Sequence, residues 1–285
     1  KDIVGIKVFM AGHETTPTTI PDDKTLGKIF KLAGERNILL AVHAEDQWLI
    51  NYYITKYSGK KNNDPSLWSK LRPKEVIIAA VARAIALAEN YHTKLYLLHL
   101  STPEEFALVQ AAKERGVEVY GELVGYQLLF NIDHYKKLGN KIKVSPALRT
   151  VEDQSDIWQL VKENKIDVIC SEHTPHEWET KNQPDVWKAQ SGTPGIQETL
   201  PALITGWVQR YGRKVLEEGL MKIARYCSEN PAKIFGFKSK GSLDKNKDAD
   251  FSIIDINNTN RIRFWGIAFF EKIFIKTNWI CCIYI

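Results

Sequence analysis

The sequence predicts an α/β protein built on a parallel sheet, and three observations carry that expectation. Short β-branched runs alternate with longer stretches of helical character along most of the chain. The runs are almost continuously apolar, as strands are when both faces of their sheet are covered. Polar residues also recur at one place in these runs: Lys7, His43, His99, Glu122 and Glu172 each stand within a run or at its C-terminal end.

Taken in order, the run at 3–10 (IVGIKVFM) is followed by a helical stretch at 23–36, and the run at 38–45 (ILLAVHAE) by one at 74–91. The 74–91 stretch is strongly apolar on one face and reads as core packing. A run at 94–101 (KLYLLHLS) precedes a helix at 103–115, and a run at 117–123 (VEVYGEL) precedes one at 152–164. The run at 166–173 (IDVICSEH) leads into a 24-residue stretch, 173–196, without periodicity. Loops of that length in compact domains are usually functional or disordered, and Gly192 and Gly195 would let its backbone approach a ligand. Helices at 197–211, 215–227 and 230–236 and a final strand near 249–254 complete the pattern.

Composition sets the bounds. With 285 residues, 44% hydrophobic, 26% charged, 17 Gly and 11 Pro, the chain is neither collagen-like nor compositionally disordered. A net charge of +5 comes from interleaved acids and bases, not the basic stripe of a nucleic-acid binder, so no nucleic-acid partner is expected. The four cysteines, Cys170, Cys227, Cys281 and Cys282, form no secreted-type framework, and the expected setting is a reducing cytoplasm with free thiols. The apolar last 24 residues are interrupted by Arg263, Glu271, Lys272 and Lys276, so they make a poor membrane span. That tail is expected to be foreign to the domain.

Lys7, His43, His99 and Glu172 are separated by 36, 56 and 73 residues, so they converge only if their strands share one sheet. One histidine at a strand end is usually structural. Two histidines, a lysine and an acid at equivalent positions on successive strands describe a metal site, at the end where (β/α) barrels build their active sites.

The segments GIKVFMAG (5–12), VHAED (42–46), LHLST (98–102), KVSPALR (143–149), SEHTPH (171–176), SGTPGIQETLP (191–201), NPAKIFGF (230–237) and KGSLDKNKDADFSIID (240–255) occur in series. Together they resemble the cyclic-amide branch of the amidohydrolase superfamily: dihydroorotases, hydantoinases or dihydropyrimidinases, and allantoinases. The resemblance implies a TIM-type (β/α)8 barrel entered at what would be its fourth strand. It divides the chain into a barrel at 1–238, a remnant of a small β domain at 239–257 and an atypical tail at 258–285. It also implies a binuclear centre, usually of Zn2+, in which Lys7, carboxylated, bridges the two ions. His43 and His99 would hold the second ion, and Glu172 would occupy the place of an aspartate that binds metal and serves as the catalytic base. The implied reaction is metal-assisted hydrolysis of a ring amide, with the acid at 172 moving a proton from water to the leaving nitrogen.

This sequence departs from the family pattern in several places. The His-x-His pair of the first strand lies outside it. Glu172 replaces Asp and reaches ~1.5 Å further. Ser145 stands at a substrate-contacting Asn, and Tyr126-Gln127 replaces a His-His pair. GEL at 121–123 and the stretch 145–158 lean towards hydantoinases, but hydantoinases place an oxyanion-stabilising Tyr where this chain has Gly12. Dihydroorotases place a histidine four residues after the acid to bind the substrate carboxylate, and His176 stands there. Ser191 and Gly192 fit the dihydroorotase loop whose backbone contacts the ring. Arg149 either contacts the site or ends a strand. His173 reads as structural or as support for the metal ligands, and His13, His92 and His134 as solvated.

The leading expectation is therefore a dihydroorotase-type enzyme of pyrimidine synthesis, with hydantoinase or allantoinase as the alternative within the branch. A non-catalytic structural partner, for instance of a carbamoyltransferase, is the alternative outside it. A small cyclic amide is the expected ligand, a homo-oligomer an expected assembly, and no membrane contact is foreseen. The chain by itself is expected to be poorly stable, inactive and able to hold at most one metal.

Overall fold

The computed structural model describes residues 3–12, 18–20, 22–59 and 63–256 and the backbone of 276–278. His13 and the remainder of the predicted tail lie outside the described residues.

Strands and helices alternate. β1 (Ile6–Phe9) leads through α1 (Asp23–Glu35) to β2 (Leu40–His43). α2 (Gln47–Lys56), α3 (Leu67–Leu71) and α4 (Lys74–Tyr91) precede β3 (Leu95–Leu100). α5 (Pro103–Glu114) leads to β4 (Val119–Val124); α6 (Gly125–Leu129), α7 (Tyr135–Leu138) and α8 (Val151–Lys162) lead to β5 (Val168–Cys170). Then come α9 (Trp178–Lys181), α10 (Thr199–Tyr211), α11 (Leu216–Ala224) and α12 (Asn230–Ile234), and β6 (Ile253–Asp255) pairs antiparallel with β7 (Lys276–Asn278). The predicted helix at 215–227 is α11 followed by a π-helical turn at Arg225–Glu229.

The five main strands form one parallel sheet in sequence order, β1-β2-β3-β4-β5. Each strand lies beside the next in the chain, with helices in the crossovers, which is the arrangement of consecutive units of a (β/α) barrel. Among the described residues the outer edge of β1 pairs with no other strand, and Ile6 there is 42% exposed.

Register decides which side chains meet. Ile6, Leu40, Leu95 and Val119 stand opposite one another, as do Val8, Val42, Leu97 and Gly121. The side chains of Leu40, Val42, Leu95, Leu97 and Val119 enter one core with Leu26 and Phe30 of α1, Ala80, Val81 and Ala84 of α4, and Phe106 and Val109 of α5. Each large side chain buried this way contributes about 1.5–3 kcal/mol. The intervening row, Lys7, Ala41, Tyr96 and Tyr120, belongs to the other face. That face is floored by Tyr96 against Phe235, at 5.0 Å between rings, with Leu39 and Val168 packed against Ile234.

Two helix starts are fixed by reciprocal caps, Thr102 with Glu105 on α5 and Thr150 with Asp153 on α8, each worth about 1 kcal/mol. No described helix is long and apolar enough to cross a membrane.

Candidate metal centre

The inner row continues upward to the predicted site. Phe9 pairs with His43, two residues beyond the Lys7–Ala41 pair, so Lys7, Phe9 and His43 share the inner face. His99 reaches it by a different route. From Tyr96, three residues earlier, simple alternation would turn its side chain outward. Between Leu97 and Leu100 the register shifts against Gly121 and Leu123, so that β3 carries an extra residue. His99 sits in this bulge at φ 45°. A bulge re-aims the side chain it carries, and the His99 ring meets His43, with His43 Nδ1 and His99 Nε2 2.8 Å apart. A left-handed backbone costs a non-glycine residue about 1–2 kcal/mol. Glu172, just beyond β5, has the same unusual backbone, with φ 42°.

His43 is held from behind. Its Nε2 lies 3.0 Å from Glu45 Oε2, and Arg72 grips the same carboxylate oxygen through Nη1 while its Nη2 donates to the Gly12 carbonyl at 2.8 Å. All three side chains are almost completely buried. Burial alone would raise Glu45, but Arg72, the hydrogen bond to His43 and the more distant Arg149 outweigh it and hold the carboxyl at about 2. Burial lowers His43 below its ordinary value, which favours the neutral imidazole that binds metals. Below His99, Glu122 accepts from Tyr96 Oη at 2.7 Å and from the His99 backbone N–H at 3.2 Å. Burial pushes Glu122 upward, and burial and Glu122 together raise the Cys170 thiol.

Glu172 Oε1 is 3.6 Å from His99 Nε2, and Tyr126 Oη donates to Glu172 Oε2 at 2.5 Å. Burial raises Glu172, with nearby Glu122 adding to the effect. Lys7 shares the inner face, but its exposed ammonium lies 4.6 Å over the Phe9 ring.

Three of the four predicted substrate residues, His176, Ser191 and Gly192, lie in the long loop, and Ser145 stands in the segment 143–149. Ser145, joined to Pro146 by a cis peptide, and Ser191 are buried, with hydroxyls that find no hydrogen-bond partner among the described residues. His176 Nε2 is 2.8 Å from the Ser191 carbonyl, and Gly192 N–H donates to the Lys143 carbonyl at 3.0 Å. His173 accepts from the Gly195 N–H at 3.2 Å, a loop-organising role. Gly192 is irreplaceable on steric grounds: at φ 139°, an added Cβ would lie 2.6 Å from Thr174 Oγ1, 2.7 Å from His176 Nε2 and 2.8 Å from the Thr174 carbonyl. Gly192→Ala should cost about 2 kcal/mol or more. It should speed limited proteolysis within 173–196 at least about tenfold, against an unchanged rate if the loop were not so tightly set.

Glu45, Arg72 and Tyr126 carry much of this geometry. Tyr126 is visible in the sequence as a departure from the family pattern, whereas Arg72 bears no motif and lies 27 residues from the carboxylate it grips. Arg149 is buried, with Nε donating to Ser101 Oγ at 3.0 Å and Nη1 to the Arg72 carbonyl at 2.7 Å.

The donors suit a divalent cation of borderline softness: two imidazole nitrogens facing one another, a carboxylate beside them, and a second carboxylate holding the far nitrogen of His43. His43, His99 and Glu172 therefore fit one ion. Among the described residues no cluster of three such ligands is already set to hold one; the two imidazoles bond to each other instead.

The sequence profile described as the amidohydrolase family matches residues 4–277. The chain belongs to the amidohydrolase family. Among its relatives, an allantoinase of Rubrobacter xylanophilus is 30% identical over 263 residues, covering 92% of this chain and 57% of the relative. A dihydroorotase of Methanosphaera stadtmanae is 31% identical over 242 residues, covering 84% of this chain and 54% of the relative. In three dimensions, this amidohydrolase chain superposes on the L-hydantoinase (dihydropyrimidinase) from Arthrobacter aurescens with a TM-score of 0.84 and 27% identity, covering 91% of this chain and 57% of that one. The chain thus spans a little over half the length of the relatives it matches. Its fold is the parallel α/β fold of the cyclic-amide amidohydrolases.

Proposed function

We propose that this amidohydrolase chain carries the metal-binding and proton-transferring part of a cyclic-amide hydrolase, with dihydroorotate as the ring substrate. The observation that carries the reading is the convergence of His43 Nδ1, His99 Nε2 and Glu172 at the ends of successive parallel strands. A divalent cation bound there, Zn2+ foremost, supplies Lewis-acid activation of the ring carbonyl. The protein groups do the rest. Glu45 keeps the proton of His43 on Nε2 and leaves Nδ1 as a donor. Glu172, oriented by Tyr126, moves the proton from water to the leaving ring nitrogen. His176, four residues beyond Glu172, is assigned to the substrate carboxylate on that spacing, with its Nε2 2.8 Å from the Ser191 carbonyl.

Dihydroorotate is favoured over hydantoin by Gly12. Residue 12, aligned with the hydantoinase tyrosine, is a glycine and supplies no phenol; its N–H donates to Gln47 at 2.9 Å and its carbonyl accepts from Arg72. Relatives with the names allantoinase, dihydroorotase and hydantoinase make the test a panel. Dihydroorotate, hydantoin and allantoin should be assayed side by side with Zn2+ on the full-length gene product. Dihydroorotate should show the highest kcat/KM, by at least about tenfold; a preference for either of the others reassigns the substrate.

A further inference from the structure

Behind the two histidines runs a buried belt of polar side chains, of which only Glu45 has a part in the reaction proposed above. Glu45 lies two residues after His43, and Ser101 two residues after His99. Arg72 grips Glu45. Arg149 touches the β3 end directly and the β2 end through Arg72: its Nε donates to Ser101 Oγ at 3.0 Å, and its Nη1 donates at 2.7 Å to the carbonyl of Arg72. One planar guanidinium therefore ties the residue following the His99 bulge to the residue that anchors His43's carboxylate. Arg149 is 5% exposed, Arg72 3%, and Glu45 and Ser101 are fully buried.

We propose that Arg149 is a positioning residue of the metal centre. It fixes the spacing of the β2 and β3 ends and so the separation of the two ligating nitrogens. The inference rests on the metal reading above. Packing alone does not call for a guanidinium here. Arg149 borders a cavity of about 820 Å3 shared with Tyr135 and Lys74, so it is not wedged into a close-packed core, and a buried charge is a poor way to fill space. Its two bonds run in the fixed fork geometry that a lysine could not reproduce.

The test is titration of the full chain with Co2+, followed by visible d–d absorption, for the wild type, R149M and S101A, each shown to be folded by circular dichroism. R149M should bind about 10–100-fold more weakly, with an altered d–d spectrum. S101A, which removes a single bond, should lose about fivefold in the same direction. A merely structural arginine would lower the melting temperature and leave affinity and spectrum alone. Wild-type affinity and spectrum in both variants would overturn the proposal, and S101A decides it if R149M does not fold. Failure of the wild type to bind Co2+ would instead remove the metal reading, and the proposal with it.

Discussion

Arg72→Met is expected to destabilise the chain by about 3–5 kcal/mol, read as a fall in the urea midpoint. The carboxylate it would abandon has no exposed surface, and Glu45 Oε1 already lacks a hydrogen-bond partner, leaving His43 as its near contact. Removing one member of a buried ion pair leaves the other charge desolvated, which is why the cost exceeds that of a surface pair. The pH dependence identifies the cause. Glu45 is held at about 2, below its ordinary 4.5, by Arg72, His43 and Arg149 acting against burial. Its contribution, on the order of 3 kcal/mol, is present above about pH 4.5 and drains away as the pH falls towards 2. In the Met variant burial is no longer opposed by Arg72, so this acid-side loss should vanish. Other carboxylates titrate in the same window, so the difference between the two chains is the quantity to plot. Parallel curves for the two would refute the assignment.

His99 should separate stability from ligation. His99→Ala and His99→Gly should each weaken Co2+ binding at least about 100-fold, because each deletes one of two imidazole donors. Their stabilities should then diverge in an unusual order. Within an ordinary strand glycine costs about 0.5–1 kcal/mol relative to alanine. At φ 45° in a bulge, alanine bears the steric penalty and glycine does not. His99→Gly should therefore be more stable than His99→Ala by about 1 kcal/mol in thermal or urea unfolding. Alanine proving the more stable would show that the bulge relaxes when the ring is removed.

The bulge also marks where the sequence stops being legible. Strand and helix order follow from periodicity because the outer face of each strand is apolar and the helices between are long. His43 can be placed by its position alone, since simple pairing carries it inward. His99 stands at a strand end in the same way, but its alternation points outward, and only the added residue between Leu97 and Leu100 turns it round. Helix α2 is hard to read because its sequence lacks a clean apolar stripe; Ile50 is buried while Trp48 is 71% and Tyr52 50% exposed. Arg72 and Arg149 act across 27 and 48 residues on Glu45 and Ser101, contacts that periodicity cannot convey. Three of the proposed substrate residues, His176, Ser191 and Gly192, can be grouped from sequence because they share one long loop, whereas Ser145 stands in a separate segment.

Lys7 carries a consequence of a different kind. Its ammonium lies 4.6 Å over the ring of Phe9, which itself stands 5.2 Å from the His43 ring. A cation over the face of an aromatic ring is held there by the ring's quadrupole. Phe9 thus works as a tether: it holds the Lys7 charge one ring away from His43, and that charge is among those that lower the imidazole.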